Sequence, residues 1–432
     1  MKKGFYTIMA AQFFSSLADN ALFLAAISML VLLEGPPWLT PLLKFFFTVS
    51  YVLLAFVVGA LADAMPKGRV MFMTNLVKVF GCLLILFNEF LRIPALPPYW
   101  VVVFAYAVVG LGAAAYSPAK YGILTELLPP EQLVVANGWI EGLTVASIVL
   151  GVLLGGLLIG SRFSTMLLAV DLPGIETSID TAPEAAIVVI AFVYVIAAAF
   201  NLAIPDTGAR YAHQERNPIR LFLDFAHCFR VLWADKLGQI SLATTTLFWG
   251  AGATLQLLVL RWAEQSLNLP LSAGAVLQGV SALGIAIGAV VAAKIVPLKR
   301  AVRVLPFGVA MGMVVIAMIF TNWMPMVYVL LVTVGAMAGF FVVPMNALLQ
   351  HRGHVLLSAG HSIAVQNFNE NVSILVMLAL YSVMLRMDLH IHVIICLFGL
   401  FVSGTMMMVI RWNAANHRAD PGLDRLIGEV KH

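Results

Sequence analysis

Gln12-Phe-Phe-Ser15-Ser16-Leu-Ala-Asp19-Asn20 lies inside an otherwise apolar run from Thr7 to Leu33. On an α-helix, positions 12, 15, 16 and 19 share one face, so Gln12, Ser15, Ser16 and Asp19 form a polar stripe with Asn20 at its edge. The run is long enough to cross a bilayer, which takes about 20 residues, and Asp19 falls near its middle. A carboxylate at that depth costs roughly 2.5–3.5 kcal/mol on insertion-derived scales. Asp19 is therefore expected to face protein or water. Serines and an asparagine alone would read as a polar seam between helices; the added acid points instead to a transport pathway.

The remainder of the chain fits the same setting. Its 432 residues are 62% hydrophobic and 11% charged, with a mean hydropathy of +0.98, whereas soluble domains carry about a quarter charged residues. Composition thus excludes a soluble enzyme. The net charge of +4 is spread over short connections and forms no nucleic-acid patch. Cys82 and Cys396 fall in apolar segments and Cys228 in a basic connection, without metal-ligand spacing. No disulfide, metal site or cofactor is expected. Met1-Lys2-Lys3 looks like a signal-peptide start, but the following run is too long and is interrupted by Asp19-Asn20, so it reads as a retained first span.

Hydropathy and helix breakers predict an all-α membrane protein with twelve spans, at 7–33, 42–62, 70–91, 99–128, 133–160, 185–204, 239–263, 272–296, 302–320, 324–349, 356–385 and 391–411. Lys2, Lys3, Lys67, Arg69, Arg352 and the basic residues within 210–236, 294–303 and 411–431 fall on one side, against only Arg92, Arg162, Arg261 and Arg386 on the other. That asymmetry puts both termini in the cytoplasm. The outer segment 161–184 is acidic, with Asp171, Glu176, Asp180 and Glu184, and reads as a small flap.

The longest basic connection divides the chain. The predicted organisation is an N-terminal six-helix bundle at 1–205, a cytoplasmic linker at 206–238, a C-terminal six-helix bundle at 239–412 and a tail at 413–432. Within the linker, the stretch from Pro218 to Trp233 is amphipathic and should lie along the inner interface as a simple linker helix. The halves also repeat: Tyr116-Ser-Pro118-Ala-Lys120 in span four lines up with Val342-Val-Pro344-Met-Asn346 in span ten. Each is followed by a span bearing an acid, Glu141 or Glu370. Two pseudo-symmetric six-helix bundles of this kind resemble the major facilitator fold. Gly59-Ala-Leu-Ala-Asp63-Ala-Met-Pro-Lys67-Gly68-Arg69 likewise resembles the cytoplasmic signature loop of that superfamily, although Gly68-Arg69 falls about two residues late. Asp63, Lys67 and Arg69 are the gating candidates.

Lys78, Lys120 and Glu141 each lie about eight residues from the inner end of their spans, roughly 12 Å deep. Equal depth allows Lys120 or Lys78 to pair with Glu141, though Lys78 can also snorkel inward. Span eleven carries Gln366, Asn367, Glu370 and Ser373 as a second polar stripe, with Glu370 near the midplane. Span seven offers Thr244, Thr245, Thr246, Trp249 and Gln256, with Arg261 near its outer end; its threonines read as packing groups. The substrate-binding candidates are Asp19, Asn20, Lys120, Glu141, Gln256, Asn346, Gln366, Asn367 and Glu370. Gln12, Lys78, Trp249 and Arg261 are secondary candidates, and no catalytic residue is expected. Both stripes are expected to line a shared central crevice.

Motifs extend this resemblance to a family. Asp19-Asn20-Ala-Leu22, Lys67-Gly-Arg-Val-Met71, the segment from Gly112 to Leu124, Ala136-Asn-Gly138 with Glu141, Leu247-Phe-Trp-Gly-Ala-Gly252, the segment from Gly339 to Gln350, and Ala364-Val-Gln-Asn367 with Glu370-Asn371 resemble the bacterial lysophospholipid transporters. The resemblance implies movement of lysophosphatidylethanolamine and related lysolipids from the outer to the inner leaflet of the bacterial inner membrane. It further implies reacylation there by an acyltransferase/acyl-carrier-protein synthetase. About twenty residues follow the last span, too few for a fused enzyme domain, so a separate partner is expected. One departure from the family pattern is Gln256, where an arginine is usual; Arg261 lies five residues on, about 140° around a helix. Two rival readings are a proton-coupled exporter of drugs or small molecules and a membrane-embedded acyltransferase. The second lacks the His-x4-Asp pattern at every histidine, including His213, His227, His351, His354 and His361.

Overall fold

The computed structural model describes residues 3–36, 39–91, 96–168, 179–209, 211, 217–269 and 271–427. Its helices are α1 (Lys3–Leu32), α2 (Leu39–Ala64), α3 (Lys67–Leu86), α4 (Pro98–Leu127), α5 (Leu133–Ile159), α6 (Ser161–Leu168) and α7 (Ala182–Leu202). They continue as α8 (Pro218–Ala234), α9 (Gly238–Leu267), α10 (Leu271–Ile295), α11 (Leu305–Ala317), α12 (Met324–Leu356), α13 (Ala359–Arg386) and α14 (Ile391–Ala419). Tight 3₁₀ turns at Leu298–Val304 and Met318–Phe320 extend α11 at both ends. Among the described residues twelve segments are long and apolar enough to cross a bilayer; α6 and α8 are the two helices outside that set.

Helix ends depart from hydropathy where polar residues find partners. Span ten was expected to stop at 349, yet α12 runs to Leu356 because Gln350, His351 and Arg352 are buried. Arg352 donates to both carboxylate oxygens of Asp235, at 2.7 and 3.1 Å, and to the carbonyl of Leu426. α14 likewise continues to Ala419, and Asn416 donates to the carbonyl of Lys236. In the acidic outer segment, Asp171 and Glu176 lie outside the described residues. Glu184 has a local role: its carboxylate accepts from the backbone N–H groups of Asp180 and Thr181, at 3.0 and 2.9 Å, closing the start of α7.

Contacts divide the chain into two compact units. Unit 1 comprises residues 1–120 and 146–214, and unit 2 comprises 121–145 and 215–432. The division cuts α4 and α5, so the end of α4 and the start of α5 group with α8–α14. Hydropathy can place a boundary only in a loop, and this one falls within helices.

Small residues set the packing in each unit. In unit 1, Ala18, Ala21, Leu22 and Ala25 of α1 join Ala186, Ile187, Ile190 and Tyr194 of α7 in a fully buried cluster. Gly151 and Gly155 of α5 pack against the backbone of α1 at Leu17 and Ala21. In unit 2, Gly284 and Gly288 of α10 face Gly335 and Gly339 of α12, each flush with backbone of the opposite helix. Four-residue spacing of glycines on both partners allows this close approach. A side chain at Gly339 would overlap the Ile285 carbonyl. Gly339→Val is therefore expected to destabilise the fold by about 1–3 kcal/mol or more, read as a lower melting temperature in detergent and a smaller folded yield.

Candidate functional site

In unit 1 the first polar stripe builds a closed charge cluster. Lys78 of α3 places Nζ 2.8 and 2.9 Å from the two Asp19 carboxylate oxygens. The same ammonium donates to Ser15 Oγ at 3.0 Å, and Ser15 donates to Asn75 Oδ1 at 2.8 Å. Tyr194 of α7 donates its hydroxyl to Asp19 at 2.7 Å. Two rings complete the enclosure, with Lys78 Nζ 5.1 Å from the Tyr116 centroid and 5.4 Å from that of Tyr194. A primary ammonium is thus held by one carboxylate and two aromatic faces, a combination that suits organic cations in general. The pair is buried on the lysine side and 21% exposed on the aspartate side. Among the described residues, Asn75 Nδ2 remains a buried donor with no hydrogen-bond partner.

This arrangement corrects one expectation. Equal depth had offered Lys78 as a partner for Glu141, but Lys78 is committed to Asp19. Depth fixes how far a group lies along the membrane normal and says nothing of which helices are neighbours. α7 packs against both α1 and α3, and α1 and α3 both contribute to the cluster. Nor does Lys78 snorkel inward: its side chain is 1% exposed.

Unit 2 holds the second cluster, a chain of amides between two acids. Asn346 Nδ2 of α12 lies 3.4 Å from Glu141 Oε1 of α5. Gln366 Nε2 of α13 donates to Asn346 Oδ1 at 3.0 Å and to Glu370 Oε1 at 2.7 Å. All four side chains are at least 94% buried. One turn away on both helices, Asn137 and Gln350 exchange reciprocal amide bonds of 2.8 and 2.9 Å. α5 and α12 are therefore zipped by two polar rungs, 137 with 350 and 141 with 346. Asn367 is buried beside this chain, and its carbonyl accepts from Asn371.

Asn20 donates to the Ser16 carbonyl of its own helix, and Gln12 is buried on the Asp19 face. Lys120 is half-buried on α4. Gln256 is exposed, and its backbone carbonyl accepts from Gln278 Nε2. Arg261 is half-buried near the far end of α9, and Trp249 stands edge-on to Phe248 at 5.4 Å. Thr244 and Thr245 bond back to carbonyls of α9 itself, as packing groups do. Across the turn from α2 to α3, Lys67 pairs with Asp63 at 2.7 Å, donates to the Ala62 carbonyl and lies 4.8 Å from the Tyr211 ring, while Arg69 is exposed.

Several groups escaped the sequence reading. Tyr116 and Tyr194 look like ordinary core aromatics in their spans, and nothing in the spacing ties them to Asp19. Asn75 lies three residues before Lys78, and that pair could have been read as a polar face of span three. Lys44, hidden in an apolar run of α2, holds its ammonium 4.9 Å from the Phe23 ring, one turn along α1 from Asp19.

The family model of the Major Facilitator Superfamily matches residues 8–378. The chain belongs to that superfamily. Within it, the chain is 41% identical over 390 residues to the "Lysophospholipid transporter LplT" of Yersinia pestis (strain Pestoides F), covering 90% of this chain and 88% of that one. The LplT of Yersinia pseudotuberculosis serotype IB (strain PB1/+) matches with the same identity and coverage. Among solved structures, a bacterial homologue of the iron transporter ferroportin in an outward-facing state superposes with a TM-score of 0.73 at 13% identity, covering 96% of this chain and all of that one. FucP in an outward conformation gives 0.65 at 13% identity, covering 95% and 98%. These likenesses establish the all-α major facilitator fold. The protein is a multi-pass membrane transporter of this superfamily, and its relatives are carriers, not enzymes.

Proposed function

We propose that this superfamily member moves lysophospholipids, lysophosphatidylethanolamine foremost, from the outer to the inner leaflet of a bacterial inner membrane by alternating access of its two bundles. Both termini face the cytoplasm, and a separate acyltransferase/acyl-carrier-protein synthetase consumes the product. The Yersinia relatives named as lysophospholipid transporters support the substrate class. The observation that carries the mechanism is the Asp19–Lys78 pair caged by Tyr116 and Tyr194.

A lysophosphatidylethanolamine head is a zwitterion: a phosphate anion joined to a primary ammonium. The cage already accommodates a primary ammonium, that of Lys78. When a head group enters, its ammonium takes the place of Lys78 against Asp19 and the two rings, and Lys78 turns to the phosphate. One internal ion pair becomes two intermolecular ones with no change in net charge. Asn75 Nδ2 offers a further donor to the phosphate. The Glu141–Asn346–Gln366–Glu370 chain receives the ammonium at a later stage of the cycle. The acyl chain stays in hydrocarbon and passes laterally. Transport runs downhill, drawn by reacylation of the product on the inner side.

A second reading, proton-coupled export of small molecules, draws on the buried carboxylates Glu141 and Glu370. Uptake by the purified chain in proteoliposomes separates the two. Lysophosphatidylethanolamine uptake that is indifferent to a pH gradient, with cationic dye left unmoved, is expected. Dye transport driven by the gradient, without lysolipid uptake, would establish the exporter instead.

A further inference from the structure

α8 has two apolar faces, and among the described residues only one of them is covered. Leu221, Phe225, Cys228 and Leu232, at helical spacing, are buried against the rest of unit 2. On the opposite side Ile219, Phe222 and Leu223 are 72%, 57% and 60% exposed. Arg220 and His227 are exposed on the flank of that second face, and Arg230 is exposed on the same face two turns further along. A helix with a bare apolar sector bordered by cations is built to lie in a lipid interface. The surroundings match in charge: Lys294, Lys299, Arg300, Arg303, Arg411 and Arg418 are exposed at the same end of the helices of unit 2. The acids there are mostly engaged, Asp235 by Arg352 and Asp420 by Lys236.

The covered face packs on α13, the helix that carries part of the second cluster. Phe225 and Phe229 set their rings edge-on to Phe368 of α13, with centroids 5.4 and 6.2 Å away. Asp224 Oδ2 lies 3.0 Å from His361 Nε2 at the start of α13. Phe368 is two residues from Glu370 and two from Gln366. A shift of α8 therefore bears on the helix that carries the amide chain.

We propose that α8 binds acidic phospholipid of the adjacent leaflet, and that this binding sets the working position of α13. Ile219, Phe222 and Leu223 enter the acyl boundary, while Arg220 and Arg230 engage the phosphates. The linker is then a reader of the leaflet that receives the transported lipid, and not a passive connection.

The test uses the full chain with Cys82, Cys228 and Cys396 replaced by Ala and a bimane label on Phe222→Cys, with Ile219→Cys as a second label position. Quenching by brominated phosphatidylglycerol is compared with quenching by brominated phosphatidylcholine in otherwise identical vesicles. Preference for the acidic lipid is expected, and Arg220→Gln with Arg230→Gln should reduce it by about fivefold for each arginine. Equal quenching by both lipids would overturn the claim of head-group recognition, and no quenching by either would show that protein, not lipid, covers this face. In unlabelled protein, lysolipid uptake should rise with phosphatidylglycerol content, and the double arginine variant should lose that rise while matching the parent in pure phosphatidylcholine. A rise that survives in the variant would sever α8 from α13. The quenching readout does not depend on the transported substrate, so its outcome stands apart from that of the proposed function.

Discussion

Asp19→Asn is expected to abolish lysolipid uptake and to lower the stability of the protein in the same step. The substitution leaves the Lys78 ammonium, 1% exposed, without its carboxylate. Breaking a buried ion pair from one side costs about 3–5 kcal/mol, because the surviving charge is stranded. Loss of uptake alone would therefore be ambiguous. The informative variant is Asp19→Asn combined with Lys78→Met, in which no charge is stranded and the two tyrosine rings still enclose an apolar stem. Replacement of both members of a buried pair is often close to neutral for stability. Melting temperature should recover in the double variant, and uptake should not. Recovery of both would make the pair a structural tie and nothing more.

Glu370→Gln is expected to cost at least about tenfold in uptake, the worth of one charge-assisted hydrogen bond, with little change in stability. The native contact runs from Gln366 Nε2 to Glu370 Oε1 at 2.7 Å, and a glutamine at 370 keeps an oxygen there to accept it. The geometry of the Gln366 contact is retained while the negative charge is removed. A head group bearing an ammonium should feel this change more than one without. Uptake of lysophosphatidylethanolamine and lysophosphatidylglycerol by the same preparation tests that point. Equal losses for both would remove the ammonium from the role assigned to Glu370.

Much of the fold was legible because membrane helices announce themselves by length and hydropathy alone. The span expected at 133–160 emerged as Leu133–Ile159, and that at 99–128 as Pro98–Leu127. Hydropathy failed at α12 and α14, where buried polar residues such as Arg352 and Asn416 continue a helix past the apolar run. Asp19 stood out because an acid in an apolar run must have a partner. Its partner did not stand out, since Lys78 and Lys120 sit at similar depths and only helix adjacency decides which lysine meets which acid. Tyr194 was invisible for a different reason: a buried tyrosine in an apolar span looks the same whether its hydroxyl meets a carboxylate or not. Gln366 and Glu370 were readable as one stripe from their spacing, but the onward contact from Asn346 to Glu141 joins helices 205 residues apart. Gln256, singled out by a family pattern, is exposed on α9, and Lys44 was overlooked because hydropathy averages one lysine away.

The most direct measurement follows tail-labelled NBD-lysophosphatidylethanolamine in vesicles and its protection from dithionite, which does not cross the bilayer. Vesicles containing the native chain should transfer the lipid to the protected leaflet much faster than protein-free vesicles. Those containing the folded Asp19→Asn, Lys78→Met double variant should be no faster than protein-free ones. Protection at the native rate in the double variant would contradict a head-group-carrying role for the caged ion pair.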